Sequence, residues 1–308
     1  MRKILLLYWL CLTGSVSVQA QKNLWNTPDA CLGQTPPGDT PIIFAPGLLA
    51  QKDSFDMDRV MFTADGKEFY YQTNTTWFDT KDSRLRCFSY VDGKWMGPAI
   101  VQERYYTPSF SADEKTMYLA GGDGDGIHSF VWQAKRKPGG GWAAPIPYLK
   151  ETYGLYMFMP TRSGVSYVSS NAHQGNMRDF STYDICTLTI RGGDTAIESL
   201  GAPINTAGFD GDFFIAPDES YMIVSTKETK DYECELYISF RRRDKRWSEL
   251  VSLGPLINDG VAHRWGEYVT PDGKYLFYSR GTSPKDCHIY WVRFDKLLGK
   301  LKKKMPYI

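Results

Sequence analysis

Short runs of aromatic and aliphatic residues alternate with tight polar turns along most of this chain, and five of them share one arrangement. In Tyr268-Val-Thr-Pro-Asp272-Gly273-Lys274-Tyr-Leu-Phe-Tyr278 two such runs flank a turn. Pro271 presets the first central φ, Asp272 suits the next position, and Gly273 takes a positive φ without steric cost. The pattern predicts two half-buried strands joined as a hairpin. Equivalent stretches run from Met61 to Tyr71, Ser109 to Leu119, Phe158 to Val168 and Phe214 to Val224. Marked at Asp65, Asp113, Ser163, Asp218 and Asp272, the hairpins are spaced 48, 50, 55 and 54 residues apart. A period of ~50 residues built from strands and turns marks propeller blades rather than solenoid coils. Glu114 and Glu219 stand where glycine is easiest, so their turns carry strain or take another geometry.

Each repeat offers two more strands beyond the first hairpin, which supplies strands A and B. Strand C is expected at Leu85 to Tyr90, His128 to Ala134, Tyr183 to Ile190, Glu235 to Phe240 and His288 to Phe294. Strand D carries a proline signature at Gly97-Pro98, Ala144-Pro145, Gly201-Ala-Pro203 and Gly254-Pro255. The fifth D signature is at the other end, in Phe44-Ala45-Pro46-Gly47-Leu48-Leu49. Ring closure by that N-terminal segment would remove an exposed sheet edge and tie the termini together. The expectation is an all-β fold, a five-bladed β-propeller of four-stranded blades over residues 41–294. A six-bladed ring is the alternative, and it would need a blade inside the lead-in at residues 21–40, which has no turn signal. Trp95, Trp142 and Trp247 precede D strands and are expected to pack between blades, with sugar platforms as the other reading.

The repeated Pro-Asp-Gly-Lys hairpin with its aromatic strand resembles the TolB-type, WD40-like β-propeller repeat. The opening stretch from Leu32 to Gly47 resembles secreted Bacteroidetes-type members of that group. The resemblance covers nearly the whole mature chain and implies the propeller fold. It implies no particular activity, because propellers host many.

Arg2 and Lys3 precede an apolar run from Ile4 to Leu12, and Val18-Gln19-Ala20 is a small-residue cleavage site. Residues 1–20 therefore read as a signal peptide, too short in its apolar part to span a membrane. Tyr8-Trp9-Leu10 are too bulky ahead of Cys11 for a lipoprotein signal. Export is expected, to the periplasm or surface of a Gram-negative bacterium if the resemblance holds. No transmembrane segment follows. Residues 295–308 form a basic tail in which Leu297, Leu298 and Leu301 lie on one side of a short helix, expected as a solvated tail or a cap over the propeller edge, with a membrane-surface role as the other reading. A net charge of +1 sets up no long-range field, which argues against nucleic acid as a partner. Five of the six cysteines remain once Cys11 leaves, so no specific disulfide is expected. The protein is expected to be monomeric.

In this strand order the A–B turns share one face, and the B–C and D–A loops share the other, around the channel mouth. The D–A loops carry Arg59, Tyr105, Tyr106, Tyr153, Tyr156, Phe209, Asp212, His263, Arg264, Trp265 and Glu267. The B–C loops add Trp77, His173 and Arg178. Rings that stack on apolar faces, mixed with carboxylates and guanidinium groups, suit a glycan or another envelope protein. The expected function is therefore non-catalytic binding through this face. The alternative is a carbohydrate-active enzyme, a glycoside hydrolase or lyase, with acid and nucleophile or base roles among Asp58, Asp210, Asp212 and Glu267. The loop from Gly121 to Gly126 alternates glycine with Asp123 and Asp125 but lacks the later ligands of a calcium loop. The four histidines have no metal spacing, so neither metal nor cofactor is expected. No Gly-x-Ser-x-Gly elbow occurs, and the blades leave no stretch for an appended hydrolase domain.

Overall fold

The computed structural model describes residues 23–77, 80–122, 130–175, 180–229, 231 and 233–305. The leader, residues 123–126 of the glycine loop, His128 and Arg178 lie outside them. A two-residue strand, β1 (Ile42–Ile43), precedes blade 1, which comprises β2 (Phe55–Phe62), β3 (Glu68–Asn74), β4 (Arg84–Val91) and β5 (Lys94–Glu103). Blade 2 comprises β6 (Tyr105–Phe110), β7 (Thr116–Gly121), β8 (Phe130–Lys135) and β9 (Ile146–Lys150). Blade 3 comprises β10 (Leu155–Pro160), β11 (Ser166–Ser170), β12 (Asp184–Arg191) and β13 (Asp194–Ser199). Blade 4 comprises β14 (Phe213–Ile215), β15 (Tyr221–Thr226), β16 (Glu235–Phe240) and β17 (Val251–Ser252). Blade 5 comprises β18 (His263–Val269), β19 (Tyr275–Gly281) and β20 (His288–Arg293), with β1 as its outer strand. The chain is a five-bladed, all-β propeller. Among the described residues no helix is long and apolar enough to cross a membrane.

The N-terminal strand closes the ring, but two residues earlier than expected. Ile42 pairs with Trp291 and Ile43 with Tyr290, and the Phe44 N–H donates to the Ile289 carbonyl at 2.8 Å. In blades 3 and 4 as well, the proline signature is the turn after the outer strand rather than the strand itself. The Gly201 carbonyl accepts from the Ile204 and Asn205 N–H groups, and Gly254 does the same for Ile257 and Asn258. The asparagine side chains then replace a strand ladder. Asn205 bonds both peptide groups of Ile185 at 2.9 and 3.0 Å, and Asn258 those of Leu236 at 2.8 and 3.0 Å.

The repeated turn owes its aspartate to a local hydrogen bond. Asp65, Asp113, Asp218 and Asp272 each accept from the N–H two residues on, at 3.0 to 3.2 Å. Glu114 and Glu219 do occupy the left-handed region, with φ +54° and +59°. Their carboxylates reach the turn of the preceding blade, which offsets the strain. Glu114 accepts from the Ala64 N–H at 2.6 Å, and Glu219 from Thr161 Oγ1 at 2.9 Å and the Tyr167 hydroxyl at 3.1 Å. Trp142 and Trp247 are inter-blade packing residues. Trp142 donates to the Tyr70 hydroxyl at 2.9 Å, and the Trp247 ring meets Tyr167 at 6.5 Å. Trp95 instead donates to Asp29 of the lead-in, at 2.8 Å.

That lead-in folds over the A–B turn face. The Trp25 indole donates to the Ala64 carbonyl at 2.8 Å and its ring lies 5.2 Å from Phe62. Cys31 and Leu32, in the short segment α1 (Ala30–Gly33), are buried in the main core. The tail forms α2 (Asp295–Lys303), which starts against the turns of blades 4 and 5, where the Phe294 N–H donates to the Lys274 carbonyl at 2.7 Å. All five described cysteines are buried and free.

Four of the five inner strands bulge. Register slips fall between Met57 and Met61, Tyr106 and Ser109, Tyr156 and Met159, and Trp265 and Tyr268. The backbone turns left-handed there at Asp58, Thr107, Met157 and Gly266. Gly266 has no alternative, because a Cβ would sit 2.5 Å from the Asp58 carbonyl carbon and 2.6 Å from the Arg59 nitrogen of blade 1. By contrast Gly273, at φ +71°, has open space around it. Gly273→Ala is expected to cost about 1–2 kcal/mol, the ordinary penalty of a left-handed Cβ. Gly266→Ala must also push two blades apart, so urea unfolding should show a loss several times larger.

Candidate functional site

A bulge re-aims the side chain that follows it. Arg59 follows Asp58 on β2 and Glu267 follows Gly266 on β18, and both side chains are fully buried (0 % exposed). The inner strands touch in ring order, so β2 and β14 are not neighbours. Arg59 Nη2 nevertheless donates to the Phe213 carbonyl on β14 at 2.6 Å, so the guanidinium crosses the propeller axis. Asp58, Tyr156, Asp212 and Glu267 all act on its charge. The Tyr156 hydroxyl donates to Asp212 Oδ1 at 3.3 Å. Nε and Nη1 of Arg59, and both carboxylate oxygens of Glu267, have no hydrogen-bond partner among the described residues. Five residues expected on the loop face therefore meet at the axis, on four different blades.

Burial governs the electrostatics. It holds the Glu267 carboxyl up to about 8, with its own peptide dipole and the Arg59 charge pulling the other way and Asp58 adding to the rise. Asp58 is pushed up to about 6 by burial, against the Arg59 N–H that donates to it at 2.7 Å. Asp212 is raised well above the usual carboxylate range, first by burial and then by the charges of Glu267 and Asp58. One cation faces three carboxyls, so Glu267 keeps its proton at neutral pH, Asp58 balances Arg59, and Asp212 is held above the usual carboxylate range. Glu228, half-buried on the loop after β15, is pushed up to about 7 by burial and by Asp210, and its charge also acts on Asp212. Sequence reasoning passed over it, although its place on a B–C loop puts it on the same face.

Of the other candidates Tyr106 acts on Tyr156, and the rest are described by the local contacts that follow. Asp210 accepts from the Thr206 N–H at 2.6 Å and folds its own loop. The Arg264 guanidinium donates to the carbonyls of Ile257, Cys234 and Ala262 at 2.9 to 3.2 Å, holding the loop ahead of β18. His263 packs on Trp265 at 4.4 Å, and Trp265 meets Trp77 at 5.7 Å. Tyr106 is buried beside Tyr156, while half-buried Tyr105 packs on Trp132 at 5.5 Å. Tyr153 is half-buried, and burial raises its hydroxyl to about 12. Phe209 tilts against Tyr183 at 6.2 Å, and His173 lies 4.0 Å from Asp184. Cys234 Sγ is 3.8 Å from His263 Nδ1, but burial pushes this thiol up to about 12, which keeps it from serving as a thiolate nucleophile. Among the described residues no group of three or more His, Cys, Asp or Glu is placed to hold a metal ion.

No protein-family model matches the sequence, and no curated protein matches it. Among solved structures, TolB from Acinetobacter baumannii is similar with a TM-score of 0.45 at 11% identity, over 76% of this chain and 53% of that one. The chain thus spans about half the length of that protein. A thermostable family-43 glycoside hydrolase is similar with a TM-score of 0.49 at 14% identity, over 79% and 90% of the two chains. Prolyl oligopeptidase B from Galerina marginata gives 0.42 at 16% identity, over 73% and 30%. At these scores the likenesses add nothing about activity, and the fold rests on the chain's own five sheets.

The raised carboxyl of Glu267 makes stability pH-dependent. Between its usual 4.5 and about 8 the folded state holds a proton that the unfolded state has lost, so this contribution declines as pH rises through that window. His288, raised by its bond to Asp56, acts in the same direction and is common to both proteins compared. Glu267→Gln should therefore match the parent near pH 5 and melt at a higher temperature near pH 8. Arg59→Met should cost about 3–5 kcal/mol at pH 8, where the remaining carboxylates lose their only cation, and less at pH 5, as measured by urea unfolding.

Proposed function

We propose that this chain is an exported propeller that draws the end of a glycan through its B–C and D–A loop face onto the axial cluster. The observation that carries this reading is the unpartnered donors of Arg59 beside the unpartnered carboxyl of Glu267, both fully buried. Sugar hydroxyls both donate and accept, so one hydroxylated ligand satisfies both groups. Half-buried Tyr105, Tyr153 and Phe209 supply ring faces on the same side of the propeller. The opposite face is covered by the lead-in, which supports entry from the loop side.

A second reading, glycoside hydrolysis, is favoured by the unlike proton affinities of the carboxyls. Glu267 keeps its proton near neutral pH while Asp58 gives its proton up, which is the division of labour between a general acid and a general base.

Glycan-array screening followed by calorimetry tests both. For a binding propeller, Glu267→Gln and Asp212→Asn should each weaken a hit about tenfold or more without any turnover in the parent. Turnover that disappears in Glu267→Gln while binding persists makes the protein an enzyme. Folded parent protein that binds no glycan, or binding that ignores these variants, overturns the axial reading and leaves an envelope protein as the partner of this face.

A further inference from the structure

We propose a second ligand site at the outer edge of blade 4, independent of the axial cluster, that takes the acyl chain of a single-chain anionic lipid. A groove of about 540 Å³ lies between α2 and the segment that follows β17. That volume falls within the ~300–1,000 Å³ of small-molecule sites. Leu253, Pro255, Leu256 and Ile257 form one wall, and Leu297 and Leu301 the other. Leu301 and Leu253 are 3 % exposed and join the core, while Leu256 stands 53 % exposed at the opening. Leu256 thus carries the apolar wall out to the surface.

The rim is basic. Arg293, Lys300, Lys303 and Lys304 line it against one acid, Asp39. Arg293 is held by Asp295 and Lys300 by Asp39, whereas Lys303 and Lys304 have no ion-pair partner among the described residues. Lysines in the last turn of a helix commonly answer its dipole. That accounts for the charges but not for the apolar wall that opens next to them. Together the two features match a ligand with an apolar tail and an anionic head.

The backbone argues for an acyl chain over an acidic peptide. A peptide added along this edge would need main-chain donors. The Leu253 N–H is taken by the Leu236 carbonyl, Gly254 by Ser252 Oγ and Ile257 by the Gly254 carbonyl, and Pro255 has none, which leaves a peptide only the Leu256 N–H along Leu253–Ile257. An acyl chain asks for no donors. The walls are fixed in advance, because buried Leu301 and the Phe294 N–H bond hold α2 in place.

The test is calorimetric titration of the full chain with lysophosphatidylglycerol below its micelle concentration, against lysophosphatidylcholine of the same chain length. Saturable one-to-one binding is expected, with about tenfold weaker affinity for the choline head. Lys303→Glu combined with Lys304→Glu should weaken binding by a similar factor, and Leu256→Asp should abolish it. These side chains are exposed, so melting curves should shift only by the few degrees that reversing charge at a helix end costs. Absent binding, equal affinity for the two head groups, or indifference to Leu256→Asp overturns the proposal. So does an alternating Glu-Leu peptide that binds with the same dependence on the variants, which would give the groove to a protein partner.

Discussion

One guanidinium lies across the axis of this propeller, and the centre of the ring is organised around keeping it charged. Arg59 leaves blade 1, crosses the axis and bonds the backbone of blade 4. Burial alone would drive such a group toward neutrality, and the charge of Asp58 does most to oppose that. The three carboxyls in turn exceed what one cation can balance, so protons make up the difference. Well-packed apolar side chains in place of buried ion pairs are often as stable or more so. Stability by itself therefore does not account for the cluster.

The same contacts that shut the ring also assemble the site. Blades 5 and 1 meet where the chain's beginning joins its end. Asp56 accepts from the Ile289 N–H at 2.7 Å, Ser279 donates to the Asp58 carbonyl at 3.2 Å, and Tyr268 accepts from the Phe62 N–H at 3.1 Å. Gly266 lets the two backbones touch at the height of the bulges. Asp58 and Arg59 stand on one side of this seam and Glu267 on the other. Loosening the seam would separate them, so closure and site geometry are one mechanical fact. Blade 3 is latched to blade 4 in a similar way by Ser169 onto the Gly211 carbonyl, and blade 4 to blade 5 by Ser225 onto the Arg264 carbonyl.

Much of this was legible in the sequence, because turns and strand alternation are local. The aspartate that bonds two residues ahead, the positive φ behind it and the aromatic strand after it are set by neighbours in the chain. Five such units, with one outer strand missing at the end and present at the start, dictate a closed ring. The strand order also assigns Asp58, Arg59, Tyr156, Asp212 and Glu267 to one face. The proline signature misled by two residues, because a turn and the strand before it share one local pattern.

Arg59 and Arg264 mark where that reach ends. Both are arginines near the start of an inner strand, and both are buried. Arg264 precedes its bulge and holds loop carbonyls, while Arg59 follows its bulge and crosses the axis. Local residue pattern determined that both lie in this region. Which one points inward depends on a register slip at a place where the backbones of two blades touch, a contact between residues about two hundred positions apart. Only tertiary packing decides that, because a two-residue alternation carries no record of where an extra residue will be inserted.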